Sequence, residues 1–136
     1  MPKLICIAAA LIDDPRGRVL LVRKRGTTFY MQAGGKIELG ELAVEALLRE
    51  LREELEFVPP VGNAVFLGTF HCQAANEPDH MLEAHLFHVR AAEEDFQIGA
   101  ELDDVLWVEV DAADHLPLAP FTRDYVLPLA RSLSRR

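Results

Sequence analysis

Short apolar stretches separated by turn residues make up much of the chain. Aliphatic residues fill Leu4–Ile12 and Arg18–Lys24, and residues 13–17 (Asp-Asp-Pro-Arg-Gly) between them are typical of a turn. The two stretches are therefore predicted to form a β-hairpin. The same kind of pattern predicts further extended segments at Phe29–Gln32, Ala64–Cys72, Leu82–Val89 and Asp104–Val110.

Two other segments have the spacing of amphipathic helices. Within Glu41–Leu55, residues of like character recur three and four positions apart, and Pro59 then excludes a continuation of the helix. A second helix is predicted at Arg123–Leu133, with Thr122 as its N-cap. Strands with one helix in the middle and one at the end indicate a layered α+β or α/β fold. Because 136 residues is a typical domain length, we expect residues 1–136 to form one domain.

The net charge of −8 restricts the partners that the protein can have. A strongly acidic chain repels duplex nucleic acid, whereas an anionic substrate can still bind if a cation lies between it and the protein. No apolar run has the length of about 18 residues that a membrane-spanning helix requires, and Lys3 alone is too small a basic region for a signal peptide. Cys6 and Cys72 are isolated in apolar stretches, which indicates reduced thiols and a cytoplasmic location.

Three carboxylates fall on one face of the first predicted helix. Glu50, Glu53 and Glu54 are spaced by three and four residues, so their side chains point into one small volume. Like charges this close are unfavourable unless something positive lies among them. A hard divalent cation such as Mg²⁺ or Mn²⁺ would meet this need, because it prefers oxygen ligands. The alternative is a solvated acidic face without a ligand.

The residues around these glutamates favour the cation. Gly34 and Gly35 lie just upstream and permit a turn that aims a carbonyl oxygen at a metal. Arg49 lies within the acidic face and can hold a carboxylate by a bidentate pair. Several basic side chains are available for phosphate: Arg23, Lys24, Arg25 and Lys36. Strand alternation puts Arg23 and Arg25 on the face opposite Lys24, so only one of these two sets faces the site.

The spacing of these residues resembles the Nudix box, G-x5-E-x7-R-E-U-x-E-E-x-G-U, in which U is a bulky aliphatic residue. Five residues separate Gly35 from Glu41, and seven separate Glu41 from Arg49, which begins the run R-E-L-R-E-E-L-E-F that ends at Phe57. The late glycine of the box is Glu56 here, and the proline that is common before the glycine pair is Ala33. A left-handed backbone is expected at Glu56, where a non-glycine residue costs about 1 kcal/mol.

The resemblance implies an α/β/α sandwich with a mixed β-sheet, in which the box forms a loop-helix-loop motif. It implies a hydrolase that uses Mg²⁺ or Mn²⁺ to cleave the diphosphate linkage of a nucleoside diphosphate joined to another moiety. Carried over position by position, the metal ligands would be Glu50, Glu53, Glu54 and the carbonyl of Gly35. Glu41 and Arg49 would not bind the metal themselves but would support its ligands, with Arg49 orienting a glutamate.

The sequence does not decide which residue acts as the general base or which residues contact the substrate. Glu53 is one candidate for the base, and Glu101, on the acidic segment before Trp107, is the other, since some members of the family use a glutamate there. Arg23 and Lys36 are the predicted contacts to substrate phosphate.

The substrate itself is only weakly indicated. ADP-ribose-type members often carry a proline where this chain has Gln73, and residues 116–120 lack the asparagine that the MutT-like branch uses for oxidised purines. The small size favours a nucleoside triphosphate. Two alternatives remain: a catalytically silent nucleotide-binding module on the same fold, and an isoprenoid diphosphate isomerase, for which Cys6 and Cys72 lack the expected setting. Family members are often homodimers, and the apolar N-terminal region offers an interface for one.

Overall fold

The computed structural model describes residues 3–92 and 96–134. Its strands are β1 (Lys3–Asp13), β2 (Arg18–Lys24), β3 (Ala33–Lys36), β4 (Val65–Gln73), β5 (His80–Arg90) and β6 (Leu102–Glu109). Its helices are α1 (Ala43–Leu55) and α2 (Leu127–Ser134). Short 3₁₀ turns lie at Val61–Asn63 and Val110–His115, and a π-helical turn at Thr122–Val126 leads into α2.

The strands form one mixed sheet with β1 at its centre. The strand order is β4-β5-β1-β2-β6, and β3 also pairs with β1. The β1–β5 pair is parallel and runs from Lys3↔His80 to Asp13↔Arg90, whereas the other pairs are antiparallel. β2 pairs with β1 only near Asp13, which leaves the residues Ile7–Ala10 free to pair with β3. This opening of the hairpin places β3 beside the middle of the central strand.

Side-chain alternation along β1 and β2 produces a core on each face of the sheet. One core joins Ala8, Ala10, Ile12, Leu20 and Val22 to the apolar side of α1, and the other joins Ala9, Leu11, Val19 and Leu21 to the segment that contains α2. The result is an α/β sandwich of three layers, as expected. Among the residues that the structure describes, no helix is long and apolar enough to cross a membrane.

The start of the first helix was predicted wrongly for an identifiable reason. The first helix begins at Ala43 rather than Glu41, because the Leu42 backbone N–H donates to the Glu45 side chain at 2.8 Å and Leu42 becomes the N-cap. The short extended segment predicted at Phe29–Gln32 is present as isolated bridges, Val22↔Met31 and Tyr30↔Leu118, rather than as a named strand.

Thr122 is not an N-cap, because it lies inside a helical segment that begins at Pro120. The Leu127 backbone N–H donates to the Thr122 carbonyl, which closes the π turn. Pro128 follows directly and lacks the N–H that a regular helix would direct at residue 124, so the regular hydrogen-bond pattern is interrupted next to this wider turn. The Thr122 hydroxyl is thereby turned inward, where it donates to Oε1 of Gln32 at 2.7 Å.

Candidate active site

The acidic face of α1 lies against the two glycines of β3. Leu47, Leu51 and Leu55 anchor the apolar side of the helix in the core, which directs Glu50 and Glu54 toward the strand. The Gly34 backbone N–H donates to Oε1 of Glu54 at 2.9 Å. A side chain on either glycine would collide. A Cβ on Gly35 would lie 2.4 Å from Cδ of Glu50, and one on Gly34 would lie 2.1 Å from the Ala8 carbonyl oxygen.

Glu54 is a buried carboxylate that lacks a full set of partners. It has no exposed surface, and its Oε2 makes no hydrogen bond within the described part of the chain. The ammonium of Lys24 lies 3.6 Å from this oxygen. Burial raises the pKa of Glu54 to about 7, with Lys24 and the Gly34 N–H acting in the opposite direction and the charges of Glu50 and Glu101 adding to the rise.

Arg49 ties the helix to the loop that precedes it. Its Nε and Nη2 donate to the two carboxylate oxygens of Glu41 at 2.8 and 2.9 Å, and its Nη1 donates to Glu50 at 2.9 Å. Nη2 also donates to the Lys36 carbonyl at 2.9 Å. The bidentate pair lowers the pKa of Glu41 to about 2 and raises the pKa of Arg49 above its ordinary value. One guanidinium therefore fixes both the entry to the helix and the position of Glu50.

The two candidates for the general base are both accessible. The Glu53 side chain is half exposed, with a carboxylate oxygen 3.9 Å from Nη1 of Arg49. Glu101 lies in the exposed turn before β6, where its carbonyl accepts a hydrogen bond from the Arg25 N–H at 2.8 Å. Its charge contributes to the raised pKa of Glu54, so Glu101 belongs to the same electrostatic neighbourhood. Both carboxylates therefore stay candidates for the base.

The segment that leads to Glu101 docks on the C-terminal end of α1 through its backbone. The Gln97 and Gly99 N–H groups donate to the carbonyls of Leu55 and Glu54 at 2.8 and 2.7 Å. A Cβ on Gly99 would lie 2.5 Å from the Glu53 carbonyl oxygen, so only glycine fits this approach. The sequence carried no signal for this contact, because it uses main-chain atoms and a glycine without a periodic pattern.

The basic residues divide between the two faces of the sheet. Lys24 continues the row of Leu20 and Val22 toward α1, and its Nζ donates to the Gly34 carbonyl at 3.3 Å. Arg23 points the other way, where its Nη1 donates to the Thr27 carbonyl at 3.0 Å and its guanidinium lies over the Tyr30 ring. Lys36 is largely exposed, with its ammonium 3.9 Å from Glu77. The set that approaches the glutamates is thus the one that contains Lys24.

A hard cation fits this donor set, although no ready-made metal cluster exists. Over residues 3–92 and 96–134, no group of three or more His, Cys, Asp or Glu side chains is arranged to hold a metal. Arg49 holds one oxygen of Glu50, and Glu53 extends toward solvent. Within the described residues, the buried Oε2 of Glu54 nevertheless lacks a hydrogen-bond partner, and the acidic face supplies the oxygen ligands that Mg²⁺ or Mn²⁺ prefers.

A cavity opens beside the glycine pair. Residues of β1 and β5 that belong to the α2-side core line it, together with Gly34 and Gly35, residues 73–77 of the β4–β5 connection and residues 119–122. Gln32 and Thr122, both buried, lie in its wall. The cavity thus extends from the carboxylate site to the start of the last helical segment.

Comparison with known proteins agrees with this architecture. The family model of the NUDIX domain matches residues 4–129. The chain is 30% identical over 122 residues to the CTP pyrophosphohydrolase of Escherichia coli, covering 87% of this chain and 85% of that protein. It is 35% identical over 119 residues to a protein named octanoyltransferase from Myxococcus xanthus, covering 83% of this chain but only 32% of that longer protein.

A solved structure confirms the fold. The MutT protein of Methanosarcina mazei superposes with a TM-score of 0.78 at 21% identity, covering 99% of this chain and 98% of that one. With the match to the family model over nearly the whole sequence and the box residues gathered against the glycine pair, the chain belongs to the Nudix family.

Proposed function

We propose that the protein is a metal-dependent pyrophosphohydrolase that cleaves the diphosphate linkage of a nucleoside triphosphate or of a nucleoside diphosphate joined to another moiety. The observation that carries this proposal is the buried, incompletely paired carboxylate of Glu54 on the glycine pair, beside Glu50 and below the accessible Glu53. A purely structural role would leave a buried carboxylate fully paired. Its open oxygen favours a ligand site.

Some of the box residues would bind Mg²⁺ or Mn²⁺, and others would position those ligands. Glu50, Glu53, Glu54 and the carbonyl of Gly35 would hold the ion, which would neutralise the bridging phosphates and polarise phosphorus for attack by water. Arg49, itself held by Glu41, would keep Glu50 in place. The attacking water needs a base, and Glu53 and Glu101 remain the two candidates, since both are exposed at the site.

Lys24 is supported as a substrate contact beside the predicted Arg23 and Lys36. It lines the cavity and lies on the face of the sheet that carries the glutamates, and Lys36 lines the same cavity. Arg23 is directed to the other face, so its contact with phosphate stays a prediction that depends on how far a substrate extends. A nucleoside triphosphate is the favoured substrate class, in keeping with the name of the Escherichia coli relative.

Two further expectations belong with this proposal. The partly exposed thiol of Cys6, which donates to Glu83 at 3.3 Å, supports a reducing and hence cytoplasmic setting. A homodimer is supported by the exposed apolar side chains of Val65 and Phe66 on β4, the outer strand of the sheet.

The test is hydrolysis of a panel of nucleotides. CTP, the other nucleoside triphosphates and ADP-ribose are each incubated with the protein in Mg²⁺, Mn²⁺ or EDTA, and products are separated by chromatography. We expect metal-dependent release of a nucleoside monophosphate, and a loss of at least about a hundredfold in Glu54→Gln, since a charged group that acts in the transition state is removed. Glu109→Gln, an exposed glutamate at the end of β6, is the matched control.

The same panel tests the alternatives. Near-normal turnover by Glu54→Gln would contradict the metal assignment. Binding of a nucleotide without turnover under any metal condition would instead favour a silent nucleotide-binding module. For the base, a large loss in Glu101→Gln would support Glu101, and little change would leave the role to Glu53.

A further inference from the structure

Gln32 lies in the wall of the cavity beside the glycine pair, and only one end of its side-chain amide has a partner in the part of the chain that the structure describes. Its side chain is 5% exposed, and its Oε1 accepts a hydrogen bond of 2.7 Å from the Thr122 hydroxyl. Its Nε2 has no hydrogen-bond partner within the described ranges of the chain, although Gln32 lines the cavity. Buried polar groups are nearly always paired in folded proteins. An open donor at a cavity wall therefore indicates an acceptor that arrives with a ligand.

Thr122 determines which end of the amide faces the cavity. It is fully buried in the π turn, so its hydroxyl is held on the inner side of the helical segment. Because this hydroxyl donates to the amide oxygen, the amide NH₂ is the end left for a ligand. The wall of the cavity thus offers a donor in a fixed position.

Much of the remaining cavity wall is apolar, as the face of a nucleobase requires. Ile5, Ile7 and Leu82 supply apolar surface, and the opposite end of the cavity begins at Gly34 and Gly35, where the carboxylate site lies. This step rests on the proposed function. If phosphates are held at the glutamates, the base of the same nucleotide extends toward the last helical segment.

We propose that Gln32 is a specificity-determining residue that reads the nucleobase of the substrate by donating from Nε2 to an acceptor on the base edge, either a ring carbonyl or an unprotonated ring nitrogen. Thr122 is the positioning residue that orients the amide. A substrate that lacks this acceptor leaves the donor buried and unpaired, which is how polar sites reject incomplete ligands.

The experiment compares a nucleotide with a substrate that has no base. kcat/KM is measured with Mg²⁺ for the triphosphate that is turned over fastest in the panel and for ribose 5′-triphosphate. The variants are Gln32→Met, which keeps the length of the side chain and removes the donor, and Thr122→Val, which keeps the shape and removes the hydroxyl. Gln97→Met is the control, since Gln97 is exposed and outside the cavity wall.

We expect Gln32→Met to reduce the preference for the nucleotide over ribose 5′-triphosphate by about tenfold or more. Thr122→Val is expected to reduce the preference in the same direction, by less, and Gln97→Met to keep it. Melting temperatures report whether each variant folds, and Thr122→Val decides the question if Gln32→Met does not fold.

Equal losses on both substrates would overturn the inference and leave the proposed function standing. Absence of hydrolysis by the wild-type protein would overturn the proposed function alone. The preference is then measured as a ratio of Kd values by titration calorimetry, and a ratio unaffected by Gln32→Met, or no nucleotide binding at all, would overturn the inference as well.

Discussion

At the residue scale, the two neighbouring glycines of β3 have different tasks. A Cβ on Gly34, whose φ is +145°, would meet the backbone of Ala8, which cannot move without disturbing the central strand. A Cβ on Gly35 would meet only the end of the Glu50 side chain, which can rotate away. Gly34 is therefore required by the fold, and Gly35 by the position of a carboxylate.

Alanine substitutions should separate these tasks. Gly34→Ala is expected to lower the free energy of unfolding by more than about 2 kcal/mol, because a left-handed, crowded position rejects a side chain. Gly35→Ala is expected to stay near wild type in stability and to lose about tenfold or more in hydrolysis, because Glu50 is displaced. Urea denaturation and the nucleotide assay together check this. Equal effects of the two substitutions on stability would contradict it.

The raised pKa of Glu54 makes a second prediction. The folded protein holds this proton more tightly than the unfolded chain, whose carboxyl has a pKa of 4.5, so stability falls as the pH rises from 4.5 toward about 7 and stays lower above it. At about 1.4 kcal/mol per pKa unit, the loss is about 3 kcal/mol. Glu54→Gln should therefore gain about 1–3 kcal/mol relative to wild type between pH 5 and pH 8 in EDTA.

The measurement is urea denaturation of both proteins at the two pH values. Parallel pH dependences of the wild type and Glu54→Gln would show that burial of this carboxylate has no such cost. Stabilisation combined with loss of hydrolysis is the result expected of a functional group held in an unfavourable environment.

Much of the site could be predicted because the box is local in sequence. Glu50, Glu53 and Glu54 share a helix face by spacing alone, and the resemblance implied that Arg49 orients a glutamate, which agrees with its hydrogen bond to Glu50. That Lys24 rather than Arg23 faces the glutamates also follows from side-chain alternation along the strand, once Leu20 and Val22 are known to face the helix. Gln32 and Gly99 could not be predicted, since their partners lie far away in sequence.

At the element scale, the C-terminal end of α1 keeps a left-handed residue that is not glycine. Glu56 has φ 49° and ψ 33°, as the sequence predicted, and its N–H donates to the carbonyls of Arg52 and Leu51. The turn therefore forms with a glutamate in place of the glycine that favours this conformation. The free-energy penalty of this left-handed glutamate is offset by the stability of the rest of the fold.

Glu56→Gly should remove that cost. We expect a gain of about 1 kcal/mol in the free energy of unfolding, since glycine adopts the left-handed region without a Cβ penalty. The matched control is Arg52→Gly, four residues earlier inside the helix, where glycine should instead cost about 1 kcal/mol. Thermal unfolding measures whether Glu56→Gly raises stability and whether Arg52→Gly lowers it. A loss of stability in Glu56→Gly would show that the left-handed backbone at Glu56 is not strained.

Strand and helix types were predictable, but the residues at which the helices begin were not. Alternation in β1 and β2 and the three-to-four spacing in α1 are local patterns that the packing then uses. Thr122 has the side chain of a good N-cap, yet Pro120 begins the helical segment earlier and Pro128 widens its first turns. Here tertiary contacts and proline geometry outweigh capping preference.

At the scale of the whole molecule, the parallel β1–β5 pair joins distant parts of the chain into one sheet. Its end is held by Asp13, whose Oδ1 accepts hydrogen bonds from Nε2 of His88 at 2.8 Å and Nε of Arg90 at 2.7 Å. Burial disfavours the charge on Asp13, but these two partners outweigh it and hold the pKa of Asp13 below its usual value. Which strands pair in this way could not be predicted from alternation, which does not identify partners.

Asp13→Asn should weaken this junction. We expect a loss of about 1–3 kcal/mol at pH 7, because a charge-assisted pair is removed and Arg90 loses its partner. The stability that the Asp13 carboxylate provides is complete above its unfolded pKa of 3.8 and is lost as the pH falls through the lower folded value. The variant should therefore show a shallower loss of stability on acidification than the wild type.

Urea denaturation from pH 7 down to pH 2 checks this, with Asp111→Asn as the control, because the Asp111 side chain is 91% exposed. An unchanged acid profile in Asp13→Asn would show that the pair does not secure the junction.

The placement of the first strand at the centre of the sheet also has a consequence for how the chain is made. β1 is synthesised before its long partner β5, which begins only at His80. Until β5 is made, the apolar residues of β1 lack their main strand partner. The entropy cost of closing the large intervening loop must also be met before strand pairing contributes any free energy. The protein should therefore refold in milliseconds to seconds rather than microseconds, which stopped-flow fluorescence of Trp107 can measure. The apolar residues of β1 are expected to favour aggregation until β5 is available to pair with them.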